Sequence, residues 1–289
     1  MIDPIRTLLF VPGNRDGWVE KAARAGADAI ILDLEDSVPA AEKDLARAAV
    51  SGKARTLRAL GQRVYVRVNR SPYLYSIADI MASVTDDVEG LVISKPNGPE
   101  DVYTASQMIA EAEAQNGLPP GRTRLLPLLE SARALQLCHE IAAIPRVWGL
   151  IGATARNGDV ARSLGFAWSD DGREALYLKS RVVMAARAAC KIPIGGCWQK
   201  VHDLDGLRAS CVQDRALGMQ GTLLLHPTNV APANEVFSPG ESDIAFYRGM
   251  LEAIEKAKAA GSAATIYDGE HVDIAHEQTA RQILALAEG

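Results

Sequence analysis

The sequence predicts an α/β fold, a (β/α)₈ TIM barrel followed by a C-terminal lid or helical extension, and three observations favour it. Eight apolar segments of strand length alternate with segments of helical periodicity. These apolar segments are continuous rather than alternating, which is typical of parallel strands covered on both faces. Polar residues collect where the segments end, and barrels of this kind carry their sites at the C-terminal ends of the strands.

The predicted elements follow one another as strand-loop-helix units. The first unit joins an apolar strand at 7–11, closed by Pro12-Gly13-Asn14, to a helix at 17–25. Pro39 precedes the second helix, and proline is well suited to a first helical turn. The other predicted strands are 27–34, 63–68, 91–93, 125–129, 147–151, 192–196 and 222–225, and the other predicted helices include 99–116, 131–143, 175–189 and 204–217.

Composition and charge limit the possible partners. The 289 residues, 48% hydrophobic and 23% charged, can bury a sizeable core. A net charge of -5 without a basic cluster argues against nucleic acid, whose binding depends on the neutralisation of phosphates. Small molecules are therefore the expected partners.

The sequence shows neither a secretory signal nor a membrane span. Residues 1–6 lack a basic segment followed by an apolar core, and no apolar run reaches the length of a bilayer span. The four cysteines form no CxxC pair and have no histidine at metal-ligand spacing, so reduced structural thiols are expected. The sequence thus predicts a soluble cytoplasmic protein.

Two carboxylates stand at the ends of neighbouring predicted strands. Glu130 follows the fifth strand, and Asp159 follows the sixth strand after a glycine-rich loop that begins at Gly152. Both side chains can reach the same end of one sheet, where two oxygen ligands suit Mg²⁺, which completes its octahedron with water and substrate. The alternative is that each acid caps the helix that follows it.

A second group of charged residues follows the second and third strands. Asp33, Glu35 and Asp36 crowd one strand end, where they raise one another's pKa or are held by arginines, unless they form a solvated surface. Arg67 ends the third strand, and its guanidinium there can grip a carboxylate or a thioester oxygen.

Two further polar residues at strand ends each have two possible roles. Lys95, at the end of the fourth strand, is either a Schiff-base lysine or a structural or anion-steering one; nothing in the sequence would depress its pKa. His226, followed directly by Pro227, is either an acid-base group or a structural residue of its loop. No dinucleotide or Walker glycine motif opens any helix.

Several motifs in the right order together carry a family resemblance that covers nearly the whole chain. They resemble the HpcH/HpaI aldolase and citrate lyase β subunit family, which includes malyl-CoA and citramalyl-CoA lyases. The motifs are Arg6-Thr-Leu-Leu-Phe-Val-Pro-Gly-Asn14, Lys21-Ala22, Asp33-Leu-Glu-Asp36, Arg67-Val-Asn69, Glu130-Ser-Ala132, Asp159 six residues before Gly165, His226-Pro227 and Asp268-Gly-Glu-His-Val-Asp273.

The resemblance implies a Mg²⁺-dependent carbon–carbon lyase that divides a short 3-hydroxyacyl-CoA into an acyl-CoA and a 2-oxo acid. It implies that Glu130 and Asp159 hold the metal and that Arg67, Glu130, Gly158 and Asp159 contact the substrate. Arg67 would stabilise the enolate oxygen. Asp273 would exchange the proton at the acyl α-carbon from a lid that excludes water.

The resemblance also implies a domain organisation. We expect the barrel to occupy residues 1–260 and the lid to occupy 261–289, packed on a neighbouring subunit of a homo-oligomer, a trimer or hexamer. The alternative is a plain terminal helix on the barrel wall.

Three departures from the family pattern leave the substrate open. The loop from Gly152 to Asp159 is longer than usual, Gly195-Gly196 replaces an acid expected on the seventh strand, and Ser94 replaces a proline. The acyl group and the 2-oxo acid are therefore not predicted. Alternative functions are a citrate lyase β-type subunit, an aldolase of free hydroxy-oxo acids, and a non-catalytic protein that binds oxo acids or CoA.

Overall fold

The computed structural model describes residues 5–152, 155–156, 158–169 and 171–287. The chain divides into two compact units, residues 1–234 and residues 235–289. Each unit is described by itself below.

The first unit is a closed barrel of eight parallel strands in sequence order, with β8 hydrogen-bonded to β1. This confirms the predicted (β/α)₈ TIM barrel. The register places Asp33 of the second strand beside Arg67 of the third. The strands are β1 (Thr7–Pro12), β2 (Ala29–Asp33), β3 (Arg63–Val68), β4 (Gly90–Ser94), β5 (Arg124–Leu128), β6 (Gly149–Ile151), β7 (Ile192–Gly195) and β8 (Gly221–Leu224).

Helices follow the strands and cover the barrel. The segment predicted as one helix at 131–143 forms two short helices that meet at Leu137, where φ is -100° and ψ is 23°. The helices are α1 (Trp18–Ala23), α2 (Lys43–Ala59), α3 (Ile77–Ser83), α4 (Pro99–Gln115), α5 (Ala132–Gln136), α6 (Cys138–Ala142), α7 (Asp159–Leu164), α8 (Leu176–Ala188), α9 (Leu204–Leu217) and α10 (Val230–Phe237).

The barrel interior is filled by apolar side chains from alternate strand positions. Leu126 and Leu128 of β5 belong to one interior cluster, as do Ile192 and Ile194 of β7. Because successive side chains point to opposite faces of a strand, Gly195, which directly follows Ile194, is on the outward face, toward the helices. The polar residues of the strand ends therefore lie above a packed core rather than along an open channel.

A buried ion pair fastens α4 to the chain ahead of β6. Arg146 donates to both carboxylate oxygens of Glu113, at 2.8 and 3.0 Å, and the backbone N–H groups of Thr123 and Gly121 donate to the same carboxylate. Burial opposes ionisation of Glu113, but these donors outweigh it and lower its pKa. A fully satisfied buried carboxylate of this kind stabilises the fold only while its partner remains.

The second unit is a helix, a hairpin and a helix around a small core. The tight turn of the hairpin has positive φ at both central residues, 49° at Asp268 and 81° at Gly269, as a two-residue hairpin turn requires. The helix 241–259, which the sequence analysis assigned to the barrel, contacts β9 and α12. The elements are α11 (Glu241–Ala259), β9 (Thr265–Tyr267), β10 (Glu270–Val272) and α12 (Ile274–Ala287).

None of the helices within the described ranges combines the length and apolar character needed to cross a bilayer.

Candidate functional site

A cavity of about 130 Å³ opens where the barrel strands end. Its lining includes Phe10 of β1, Arg67 of β3, Glu130 after β5 and Cys197 after β7. These residues come from strands spread around the whole barrel, so the closure of the sheet is what brings them together. The cavity thus joins two of the predicted site residues, Arg67 and Glu130.

Arg67 is held from three sides. Its Nε and Nη2 donate to the two carboxylate oxygens of Asp33, both at 2.6 Å, and its Nη1 lies 3.2 Å from Glu35 Oε2. The ring of Phe10 lies under the guanidinium, 4.7 Å from Cζ to the ring centroid. Burial works against the cation, but the carboxylates outweigh it and raise the pKa of Arg67. Arg67 is therefore a permanently charged, rigidly oriented group on the cavity wall.

Asp33 is the fully buried partner that fixes this orientation. In addition to the hydrogen bonds from Arg67, the Asp33 carboxylate accepts one from the Ser37 hydroxyl at 2.5 Å and one from the Glu35 backbone N–H at 2.9 Å. Burial alone would raise its pKa, yet the Arg67 hydrogen bonds and these further donors lower it. Asp33 and Glu35 are thus held by an arginine, as one of the alternatives from the sequence predicted.

Glu35 links three residues of the site. Its Oε1 accepts from the buried Ser94 hydroxyl at 2.5 Å and lies 3.3 Å from Lys95 Nζ, while Oε2 faces Arg67. A proline at position 94, usual in the family that the sequence resembles, could not donate this hydrogen bond. The serine is therefore an additional support for the carboxylate next to Arg67.

Lys95 lies among the carboxylates at the barrel mouth. Its backbone is left-handed, with φ of 53°, and its Nζ lies 2.9 Å from Asp36 Oδ2 and 3.8 Å from Asp159 Oδ2. Burial would lower the pKa of Lys95, but the hydrogen bond to Asp36 and the surrounding carboxylates raise it. A Schiff-base lysine needs a depressed pKa, so the anion-steering reading is the one that this geometry favours.

Glu130 has the features of a cation ligand. Its Oε2 atom is buried and has no hydrogen-bond partner among the described residues. Burial raises the pKa of Glu130 to about 7, and the charge of Lys95 only partly opposes this. A buried oxygen without a donor is costly unless a cation or a ligand satisfies it.

Asp159 begins α7, and Gly158 is the residue before it. Asp159 Oδ1 pairs with Arg162, and Lys95 connects its Oδ2 to the carboxylate cluster. It is not among the residues that line the 130 Å³ cavity. A Cβ on Gly158 would lie 3.1 Å from the backbone oxygen of Ala155, which does line the cavity. The bare glycine therefore permits a close turn at the cavity edge.

The donor set is compatible with Mg²⁺. No group of three or more His, Cys, Asp or Glu side chains with metal-binding geometry exists in the described part of the chain. Mg²⁺ is bound in many proteins by one or two carboxylates, with water and substrate oxygens as the other ligands. Glu130, with its unpartnered oxygen, and Asp159 therefore fit this ion, whereas a closed structural zinc site would need more protein ligands.

The acid missing from β7 has a counterpart on a helix. Asp214 of α9 is buried and pairs with Lys179 of α8 at 2.7 Å. Its Oδ2 lies 2.5 Å from the position that a Cβ of Gly195 would occupy. A carboxylate thus reaches the outer side of β7 from α9, and Gly195 leaves the space for it. In the lengthened loop, residues 153, 154 and 157 are outside the described residues.

Asp273 belongs to the second unit, where it directly precedes α12. Its Oδ1 accepts from the Ala275 backbone N–H at 3.0 Å and lies 2.9 Å from His276 Nδ1. The hydrogen bond to His276 is the main cause of its lowered pKa. Asp273 therefore caps a helix, and a role in proton transfer stays a prediction.

His226 behaves as a structural residue of its loop. Its Nδ1 accepts from the Thr228 backbone N–H at 3.3 Å, and its ring meets His202 edge-on with centroids 5.6 Å apart. It begins the short 3₁₀ helix Pro227–Asn229. This agrees with the second of its two readings.

Three residues of the site were not predicted as such from the sequence: Phe10, Ser37 and Cys197. Phe10 lies near the end of β1 within the motif Arg6–Asn14, but an apolar residue is ordinary there and does not by itself indicate a site. Burial raises the pKa of the Cys197 thiol to about 11, which keeps it protonated near neutrality. The cysteine is therefore a wall of the cavity rather than a nucleophile.

The chain is similar to several known proteins over most of its length. The model of the family described as HpcH/HpaI aldolase/citrate lyase matches residues 6–227. A (3S)-malyl-CoA thioesterase of Cereibacter sphaeroides is 33% identical over 285 residues, which cover 99% of this chain and 95% of that protein. An L-malyl-CoA/beta-methylmalyl-CoA lyase of Rhodobacter capsulatus is 33% identical over 308 residues, with 98% and 94% covered.

Among solved structures, the fold is similar to that of CitE from Mycobacterium tuberculosis, crystallised with magnesium, acetoacetate and coenzyme A. The TM-score is 0.80 over 100% of both chains, with 24% sequence identity. This similarity supports the barrel architecture.

Proposed function

Because the chain belongs to the HpcH/HpaI aldolase/citrate lyase family, we propose that it is a Mg²⁺-dependent lyase acting on a short 3-hydroxyacyl-CoA. The family membership itself makes the chain a carbon–carbon lyase. The substrates we propose are malyl-CoA or citramalyl-CoA, and the products are an acyl-CoA and a 2-oxo acid. The observation that carries the proposal is the buried, unpartnered oxygen of Glu130 in the same cavity as the charged Arg67.

Glu130 and Asp159 are the proposed metal ligands. Bound there, Mg²⁺ would supply Lewis-acid polarisation of the oxygens of the 2-oxo acid. Both residues offer hard carboxylate oxygens, and Lys95 limits their mutual repulsion, since its Nζ lies 3.8 Å from Asp159 and its charge acts on Glu130. Arg67, Glu130, Gly158 and Asp159 form the proposed substrate-binding set.

Arg67 is the proposed electrostatic catalyst. Cleavage breaks the bond between C2 and C3 of the thioester, and the electron pair becomes the enolate of the acyl-CoA. The C3 hydroxyl loses its proton and becomes the carbonyl of the oxo acid, and C2 gains a proton. A guanidinium that Asp33 and Phe10 already orient needs no reorganisation to stabilise the enolate oxygen.

Asp273 is the proposed group that moves the proton at C2. We propose that the C-terminal segment 261–289 is a lid donated by a neighbouring subunit of a homo-oligomer, a trimer or hexamer. A carboxylate covered by a closing lid is sheltered from bulk water while it exchanges a proton with carbon. The hairpin turn and the capped start of α12 give this segment a defined backbone.

The test is cleavage of defined substrates. Purified protein is mixed with malyl-CoA, citramalyl-CoA or the corresponding free acids, with Mg²⁺ or with EDTA, and the products are separated chromatographically. The proposal expects a 2-oxo acid and an acyl-CoA from a thioester, only with Mg²⁺. Release of free CoA together with the intact hydroxy acid would instead indicate the thioesterase activity named for one relative.

Other outcomes of the same assay point to other functions. Cleavage of the free acids alone would indicate an aldolase of hydroxy-oxo acids. Activity that requires an acyl carrier protein would indicate a citrate lyase β-type subunit. Binding of oxo acids without turnover of any thioester would indicate a non-catalytic relative.

A further inference from the structure

A second cavity, of about 240 Å³, lies beside the one that holds Arg67 and Glu130. We call it the side pocket; it is formed by the loops before and after α7, which contribute Arg156 and Trp168, by α8 and α9, and by the loop that follows β7. Gly196 and Cys197 line both cavities. A substituent can therefore extend from one cavity to the other past a residue without a side chain. We propose that the side pocket receives an oxygen-bearing substituent of the substrate.

Two tryptophans form the walls of the side pocket. Trp198 packs against Gly206 at the start of α9, where any Cβ would overlap its ring. Trp168 lies over Gly172, whose backbone is left-handed with φ of 62°, and a Cβ there would be 3.4 Å from its Nε1. Both rings occupy space that glycines leave free, so the walls are built from rigid, flat surfaces that can bury the carbon atoms of a ligand.

The side pocket also contains hydrogen-bond donors that the protein leaves available. Lys179 and Asp214, which are 5% and 2% exposed, pair at 2.7 Å on its lining. An ammonium has three N–H groups, and Asp214 is the single partner of Lys179 among the described residues. Nε1 of Trp198 is buried and has no hydrogen-bond partner in the described part of the chain.

These donors define the chemistry of the occupant. N–H groups without acceptors in a buried place are costly, and an oxygen atom of a ligand or a water molecule would satisfy them. A volume of about 240 Å³ is far larger than the space that a single water molecule needs. The occupant is thus a chain of a few carbons that ends in a carbonyl, hydroxyl or carboxylate oxygen.

This inference rests on the proposed function, and the oxygen can come from either half of the substrate. It belongs either to the side chain of the 2-oxo acid or to the acyl group of the thioester. Each source is tested with a pair of probes that differ in the terminal oxygen. For the oxo acid the pair is 2-oxoglutarate and 2-oxopentanoate, and for the acyl group it is succinyl-CoA and butyryl-CoA, with pyruvate and acetyl-CoA as the small references.

Affinities are measured by calorimetry on the Mg²⁺-loaded protein, a readout independent of turnover. In one of the two arms we expect the oxygen-ended probe to bind about 10-fold or more tightly than its apolar counterpart, in line with one hydrogen bond to a charged or unpartnered donor. Trp198→Phe removes the N–H but keeps a ring, and it should reduce this preference to a few-fold at most. Ser210→Trp fills the pocket from α9 and should abolish binding of the longer probes only.

Trp18→Phe, on the surface of α1, is the matched control and should change none of the affinities. Pyruvate and acetyl-CoA should bind all variants as they bind the parent. No preference in either arm, or an equal loss for small and long probes, overturns the side pocket while leaving the proposed function in place. Failure of the parent to bind pyruvate and acetyl-CoA overturns the proposed function and this inference together.

Discussion

Arg67 and Asp33 lie side by side in the register of β2 and β3 and share two hydrogen bonds of 2.6 Å. The pairing is between neighbours on adjacent parallel strands, so the barrel itself sets the direction in which the guanidinium points. Two further contacts restrict the guanidinium: Glu35 faces its Nη1, and the ring of Phe10 lies under it. A cation with this little freedom can act on a substrate oxygen without first being ordered.

Arg67→Lys should lower turnover of the cleaved thioester by about 10²-fold, because a point charge on a flexible stem cannot replace a planar fork. The measurement is kcat with saturating substrate. Arg63→Lys is the matched control, since Arg63 lies on the same strand and pairs in the same bidentate way with Glu89, far from the site. Equal kcat for the parent and Arg67→Lys would remove Arg67 from the mechanism.

Glu130→Gln and Asp159→Asn should each weaken Mg²⁺ binding by about 10-fold or more, because either change leaves a single anionic ligand for an ion that gives up its water reluctantly. Calorimetric titration with Mg²⁺ measures this directly. Glu140→Gln, which neutralises an exposed acid on α6, controls for the change in net charge. A parental Mg²⁺ affinity in Glu130→Gln would place the metal elsewhere.

Asp273→Asn should abolish both cleavage and the exchange of acetyl-CoA α-protons with deuterated solvent, while Mg²⁺ and oxo-acid binding persist. Asparagine is as good an N-cap as aspartate, so α12 should keep its start and the melting temperature should stay the same. A variant that exchanges protons normally would restrict Asp273 to its capping role.

Refolding two inactive variants together tests whether the lid comes from a neighbouring subunit. Inactive Asp273→Asn chains and inactive Glu130→Gln chains, unfolded and refolded together, should recover part of the parental activity, because a mixed oligomer joins an intact barrel to an intact lid. Each variant refolded alone is the control. Persistent inactivity of the mixture would indicate that the lid serves its own barrel.

Glu113→Gln should lower the free energy of unfolding by about 3 kcal/mol, because it leaves the buried Arg146 without its charged partner. Glu111→Gln, two residues away on the exposed face of α4, should change it little. Urea denaturation compares the two variants with the parent. Similar losses for both would show that the ion pair does not stabilise the barrel.

Glu113 also makes the free energy of unfolding depend on pH, and the sign of this dependence follows from its lowered pKa. Above the pKa of an unfolded glutamate, about 4.3, the carboxylate is ionised in both states and its full stabilisation is present. As the pH falls below that value, the unfolded chain binds the proton first, so the stability decreases. The stability of the parent should therefore fall more steeply with acid than that of Glu113→Gln, as urea midpoints between pH 6 and pH 3 would measure.

The order of the barrel strands could be predicted from the sequence, because each buried strand is a short apolar run with its own turn signals. The predicted bounds of β3 and α9 agree with the structure residue by residue. The break at Leu137 could not be predicted, since both halves of that segment have helical periodicity. Helix α3 is only seven residues long, which is too short for a periodic signal.

Site residues could be predicted from the sequence only where their position at the end of a strand was enough to identify them. Glu130 and Arg67 follow from being polar residues at strand ends. The hydrogen bond from Ser94 to Glu35 joins residues 59 positions apart, and the burial that raises the pKa of Glu130 comes from the whole barrel mouth. Such properties depend on which strands meet in space, and no local pattern of residues carries that information.

The contact between Gly195 and Asp214 limits the substitutions that either position can accept alone. A side chain gained at position 195 while the Asp214 carboxylate is present would collide with it, and an acidic side chain would also add charge beside a buried ion pair. Replacing Asp214 with a small neutral residue would remove this collision, but it would also leave the buried Lys179 without its carboxylate partner. We therefore expect positions 195 and 214 to change together among relatives rather than one at a time.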